Sequence, residues 1–195
     1  MNFLAHAHLS GADEKILVGN FIGDFIKGRQ ALNQFEPRII RGVELHRAID
    51  EFTDNHPVVD ESKKRLRPKY RHYAAVIVDM FYDHYLATHW AQFHTEKLET
   101  FAANTYSIIQ SFSSILPSTF KQMLPYMIRG NWLISYREIS GVHRALSGMA
   151  QRSPYNSRME QASDDLRNHY DAFRLEFEQF FPQLKAFAEE WLRET

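Results

Sequence analysis

Residues four apart on a helix share a face. In the run Leu45-His46-Arg47-Ala48-Ile49-Asp50-Glu51-Phe52-Thr53-Asp54 the positions 46, 50 and 54 therefore form a ladder of one imidazole and two carboxylates. Leu45, Ile49 and Phe52 fill the adjoining stripe, which puts the ladder at the margin of a buried face. A His and two Asp seldom sit at such a margin without a metal or fixed partners. The chain has no cysteine, so any metal must be held by nitrogen and oxygen donors, a set that suits Mn²⁺, Mg²⁺, Fe²⁺ or Zn²⁺.

Further donors of the same type lie elsewhere. The segment Ala74 to Leu86 is apolar around its whole circumference except at Asp79, Asp83 and His84, so its helix should be central and these groups desolvated. They call for a metal or, alternatively, an internal salt bridge to Arg47 or Arg137. Asp24 stands among Ile22, Phe25 and Ile26 behind Gly23, which permits close approach of another helix or a ligand; its alternative is a capping role or a pair with Lys27 or Arg29. His6 and His8 are two residues apart, and one of them should point inward. The candidate set is thus His6, Asp24, His46, Asp50, Asp79, Asp83 and His84. Serine nucleophile elbows, phosphate loops, GxGxxG and HExxH are absent.

A second feature is the basic run Lys63, Lys64, Arg65, Arg67, Lys69, Arg71, in a chain whose net charge is only −1. Such a patch can dock an acidic partner; the alternative is a solvated helix face ending in a turn at Pro68. Bulk charge this close to zero predicts no nucleic-acid binding.

The elements that must position these groups are helical. Apolar spacing follows a period near 3.6, and alternating β-branched runs between hairpin turns are missing. Helices are expected over 13–27, 37–55, 57–67, 71–94, 97–115, 118–129, 131–148 and 155–180, with Pro182 opening a last short one. With 195 residues, 44% hydrophobic and 24% charged, the chain suits one all-α domain, a compact helical bundle spanning 1–195. Eight of the ten histidines lie in residues 1–94, so the chemistry belongs to the first half. The aromatics Phe173, Phe177, Phe180, Phe181, Phe187 and Trp191 read as packing. The start lacks a basic, apolar leader and no window approaches about 18 apolar residues, so no membrane segment and a cytoplasmic location are expected.

Several motifs in order complete this reading. They are Asn2-Phe-Leu-Ala-His6-x-His8-Leu, Gly19-Asn20 followed by Asp24-Phe25, Leu45-His46-Arg47-x-Ile49-Asp50-x-x-Thr53-Asp54-Asn55, Asp83-His84-x-Leu86 with His89-Trp90, and Trp132-Leu133-x-x-Tyr136-Arg137. Together they resemble the acyl carrier protein phosphodiesterases, from the first residues to Gly148-Met149. The resemblance implies a divalent-metal hydrolase, favouring Mn²⁺, that cleaves the phosphodiester joining 4'-phosphopantetheine to a serine of holo-acyl carrier protein. It also implies a divergent relative of the HD phosphohydrolases, although no adjacent His-Asp pair is present.

On that reading Asp24, His46, Asp50, Asp79 and Asp83 are the expected metal ligands, and Arg47 or Arg137 would hold the phosphoryl oxygens. His84 or His6 would act as general acid. The residues Lys63, Lys64, Arg65, Arg67, Lys69 and Arg71, with Arg38 and Arg41, would attract an acidic carrier protein. The alternatives are an HD-type hydrolase of a nucleotide or other small phosphodiester, and a non-enzymatic helical module that binds an acidic protein.

Overall fold

Caps and prolines written in the sequence set many of the helix starts. In the computed structural model, which describes residues 1–194, the helices are α1 (Phe3–His8), α2 (Glu14–Phe21), α3 (Pro37–Asn55), α4 (Pro57–Tyr70), α5 (Ala74–Thr88) and α6 (Trp90–Phe93). They continue as α7 (Leu98–Ser111), α8 (Ser118–Arg129), α9 (Trp132–Ser135), α10 (Ile139–Arg152), α11 (Ala162–Asn168) and α12 (Tyr170–Glu194). Asp13 caps α2 by accepting from the amides of Lys15 and Ile16, and Pro37 and Pro57 open α3 and α4, where a missing N–H costs nothing. The all-α expectation holds, and among the described residues no helix is long and apolar enough to cross a membrane.

Where elements depart from the sequence reading, burial or backbone geometry decides. The helix expected over 13–27 stops at Phe21, and a 3-10 turn over Gly23–Phe25 follows. The segment 71–94 divides into a 3-10 turn at Arg71–Tyr73, then α5, then α6. The segment 131–148 divides into α9 and α10, with Asn131 in the left-handed region at φ 41°. Pro68 does not end α4, because Leu66 and Tyr70 on either side of it are both buried. Likewise Pro182 lies inside α12: Phe173, Phe177, Phe180, Phe181, Leu184 and Ala188 keep one buried stripe across it. That burial outweighs the roughly 3 kcal/mol an interior proline costs.

Helix α5 is the central element, packed against α1, α4, α10 and α12. Its residues Ile77, Val78, Phe81, Tyr82, Tyr85 and Leu86 are fully buried. Helices α2 and α3 cross with their backbones in contact. A Cβ on Gly19 would stand 2.0 Å from the Ile39 carbonyl oxygen, and one on Gly42 would stand 2.2 Å from that of Ile16. Any side chain at either position would push the two helices apart, and it is this crossing that brings Asn20 against His46.

Candidate metal and phosphodiester site

The first histidine motif is helical, so His6 and His8 take different directions, and both are enclosed. His6 comes to the α2–α3 crossing from α1. Its Nδ1 lies 2.8 Å from Asn20 Oδ1. The Asn20 amide nitrogen donates to the His6 carbonyl at 2.8 Å and to Ser10 Oγ at 3.0 Å, so Asn20 Oδ1 is the acceptor and His6 Nδ1 carries the proton. His46 Nδ1 donates to the main-chain carbonyl of the same Asn20 at 2.8 Å. Both rings are therefore held with the Nε2 side forward, stacked at a centroid distance of 4.0 Å.

Asp50 receives both. His6 Nε2 stands 3.2 Å from its Oδ1 and His46 Nε2 stands 3.2 Å from its Oδ2. His6 Nε2 is buried and makes no hydrogen bond, an orphaned lone pair facing a carboxylate. Donor atoms of His6, His46 and Asp50 all lie within 4.8 Å of one another. Ligands about 2.1 Å from a shared ion stand roughly 3 Å apart, so the donors, the spacing and the unsatisfied nitrogen fit a divalent cation. Asp24, exposed in the middle of the 3-10 turn, adds its Oδ1 at 3.3 Å from His46 Nε2. Gly23 is the reason His46 fits: a Cβ there would lie 2.3 Å from His46 Cγ.

The electrostatics call for positive charge at this point. Burial opposes charging His46, yet the hydrogen bonds it donates to the Asp24 and Asp50 carboxylates hold its pKa up at about 9. Burial and the neighbouring His46 hold His6 down at about 4. Burial works against the Asp50 charge, but His46 and His6 take its carboxyl well below the usual range.

Other expected residues occupy different places. Asp79 lines the same cavity, but its Oδ1 pairs with the Met1 amino group at 2.9 Å. Burial alone would lower that amine's pKa, and Asp79 and Asp50 raise it to about 10. Asp83 is not brought to the cluster. Fully buried, it accepts from the amides of Asn2, Leu4 and Ala5 at 3.2, 2.8 and 3.3 Å and so caps α1 from outside. His84 lies away from the site with both nitrogens engaged, Nδ1 donating to the Tyr136 carbonyl at 2.8 Å and Nε2 3.0 Å from the Tyr170 hydroxyl. Arg47 donates to the Ile26 carbonyl at 3.3 Å, and Arg137 pairs with Glu99 at 2.9 Å, so neither guanidinium lines the cavity. Asp54 lines it and also holds Lys63, whose Nζ bonds the Asp54 carbonyl at 2.8 Å.

The basic run is largely neutralised within the chain. Lys64 and Arg67 pair with Asp60, Arg65 makes a two-pronged pair with Glu176 on α12, and Lys69 pairs with Asp165 on α11. Arg38 pairs with Asp13, and Arg41 donates to the Leu192 carbonyl. Only Arg71 of the run lacks an ion pair among the described residues. Arg65 and Lys69 clamp α4 onto α12 and α11, Lys64 and Arg67 pair within α4, and Lys63 pairs with Asp54 of α3.

The cavity in front of the cluster measures about 430 Å³. Its lining combines the His6, His46, Asp50 and Asp24 group with the apolar side chains of Phe25, Met123, Trp132 and Met149, and Arg152 adds a cation. Two of these roles were not assigned from sequence. Asn20 sits beside Gly19 in an apolar run, and a buried amide there was the available signal. Arg152 had none, because it reaches the site only through the packing of α10 on α5.

The comparisons with known proteins identify the family. The model of the family described as acyl carrier protein phosphodiesterase matches residues 1–184, beyond the point where the sequence motifs stop. A protein named acyl carrier protein phosphodiesterase from Enterobacter sp. (strain 638) is 36% identical over 185 residues, covering 94% of this chain and 95% of its own. One of the same name from Escherichia coli (strain K12 / DH10B) is 34% identical over 187 residues, covering 95% and 96%. No solved structure matches. A family match of this extent, with relatives aligned nearly end to end, places the chain in the acyl carrier protein phosphodiesterase family.

Proposed function

We propose that this protein hydrolyses the phosphodiester joining 4'-phosphopantetheine to a serine of holo-acyl carrier protein, releasing the apo-carrier and the prosthetic group. The observation that carries the proposal is the convergence of His6 Nε2, His46 Nε2 and Asp50, with both Nδ1 atoms committed to Asn20. His6, His46 and Asp50 would hold a divalent ion, Mn²⁺ in our reading, with Asp24 as the oxygen donor on the solvent side. Such an ion, when bound, acidifies water and draws charge from phosphoryl oxygens.

The chain's own groups supply the rest. Asn20 engages both Nδ1 atoms, which keeps both Nε2 atoms pointed at one spot. Arg152 lies on the cavity wall in the position that Arg47 and Arg137 do not occupy, where its guanidinium offsets the charge of a phosphodiester. Trp132, Met123 and Met149 give the aliphatic arm an apolar wall. Asp24, whose Oδ1 lies 3.3 Å from His46 Nε2, is the exposed carboxylate of the group, and it can position attacking water by accepting its hydrogen bond.

Incubating the purified protein with holo-acyl carrier protein and Mn²⁺ tests the proposal. Mass spectrometry should show the carrier losing one phosphopantetheine. An unchanged carrier together with rapid hydrolysis of bis(p-nitrophenyl) phosphate would move the reading to a small phosphodiester.

A further inference from the structure

A protein that docks an acidic macromolecule by charge needs cations not already committed to carboxylates of its own chain. The run from Lys63 to Lys69 fails that condition. Helix α10 meets it. Arg144, Gly148 and Arg152 stand four apart and share one face. Both arginines are exposed, and neither forms an ion pair among the described residues. Gly148 keeps the face between them open, since a Cβ there would meet only Arg152 Nη1, at 3.4 Å.

This face adjoins the catalytic cavity. Arg144 and Arg152 line a second cavity of about 210 Å³ that also includes Trp132, Tyr136 and Met149. Trp132, Met149 and Arg152 line the cavity of the His6, His46 and Asp50 cluster as well, so the two share a wall. Arg71 and Arg158 are also exposed and unpaired, but the cavity they border has no residue in common with the catalytic one. A substrate tethered by a short arm must dock where the arm can reach the reacting bond.

We infer that the α10 face carrying Arg144 and Arg152 is the docking surface for the acidic carrier-protein substrate, with Trp132 and Met149 leading its arm to the cluster. The inference rests on the proposed carrier-protein substrate. It replaces the 63–71 run with a face whose charge is available.

The test is a binding isotherm of apo-acyl carrier protein with the full chain, for wild type, Arg144→Glu, Arg71→Glu and Lys64→Glu. The apo form is not turned over, so docking is read without catalysis. Wild type should bind, more weakly as salt rises. Arg144→Glu should weaken binding by about tenfold or more, with Arg71→Glu and Lys64→Glu within about twofold of wild type. No wild-type binding, an Arg144→Glu change within about twofold, or an equal loss in either other variant would overturn the inference. Wild-type hydrolysis of the holo form with Arg144-independent binding would overturn the docking face alone. Arg144-dependent binding without hydrolysis would overturn the proposed function and leave the docking face standing.

Discussion

Asn20 orients His46 by accepting its Nδ1 proton on a main-chain carbonyl 2.8 Å away. The side chain of the same residue does so for His6 at 2.8 Å. One residue thus engages two Nδ1 atoms, one through its backbone and one through its amide, and substitution separates the two. In Asn20→Ala the backbone carbonyl and His46 remain, whereas His6 loses its acceptor. Mn²⁺ affinity should fall by about 10- to 100-fold, with helical circular dichroism retained, as titration with a chelator would show. Unchanged affinity would mean that His6 needs no support to point at the site.

Gly23 offers a steric counterpart. A methyl group there would overlap His46 Cγ at 2.3 Å, so Gly23→Ala must move the ring or the 3-10 turn. Stability should drop by about 1–3 kcal/mol and turnover by more than about tenfold. A variant of normal activity would show that His46 tolerates displacement and does not need its present position.

The basic run should matter to stability and not to substrate. Glu176 accepts two hydrogen bonds from Arg65 at 2.8 and 2.7 Å and one from Ser62 Oγ. Glu176→Gln should lower stability by about 1–3 kcal/mol, seen as a lower Tm, with the KM for the carrier protein unchanged. A raised KM with unchanged Tm would return the run to a docking role.

His8 predicts sensitivity to acid. Both its ring nitrogens are buried without hydrogen bonds, among Trp90, His94 and Phe181. Burial first, then the neighbouring His94 and Lys185, lower its pKa from 6.5 to about 3. The unfolded chain therefore binds more protons between those values, so this contribution is complete above pH 6.5 and is lost as pH falls toward 3. Urea midpoints between pH 7 and 4 should decline, and His8→Phe should decline less steeply. Equal slopes would remove His8 from the explanation.

These cases show what could be read from sequence and what could not. The ladder from His46 to Asp50 was legible because one helix carries it and its period is local; α3 runs over Pro37–Asn55, as expected. The centrality of α5 was legible too, from its unbroken apolar circumference. Misplaced residues share one cause, because burial of a charged group shows that it needs partners without saying which. Asp83 found three amides of α1, and His84 found Tyr136 and Tyr170. Arg152 was silent because its role depends on contacts between helices far apart in sequence.

The central claim is that His6, His46 and Asp50 form a metal centre that cleaves the carrier-protein phosphodiester. It is tested most directly by following holo- to apo-acyl carrier protein conversion by mass spectrometry with chelator-stripped protein, wild type and Asp50→Asn, as Mn²⁺ is added back. Wild type should be inactive when stripped and regain turnover with the ion, while Asp50→Asn stays at least about 100-fold slower at every concentration. Full turnover by the stripped protein, or wild-type rates in Asp50→Asn, would contradict it.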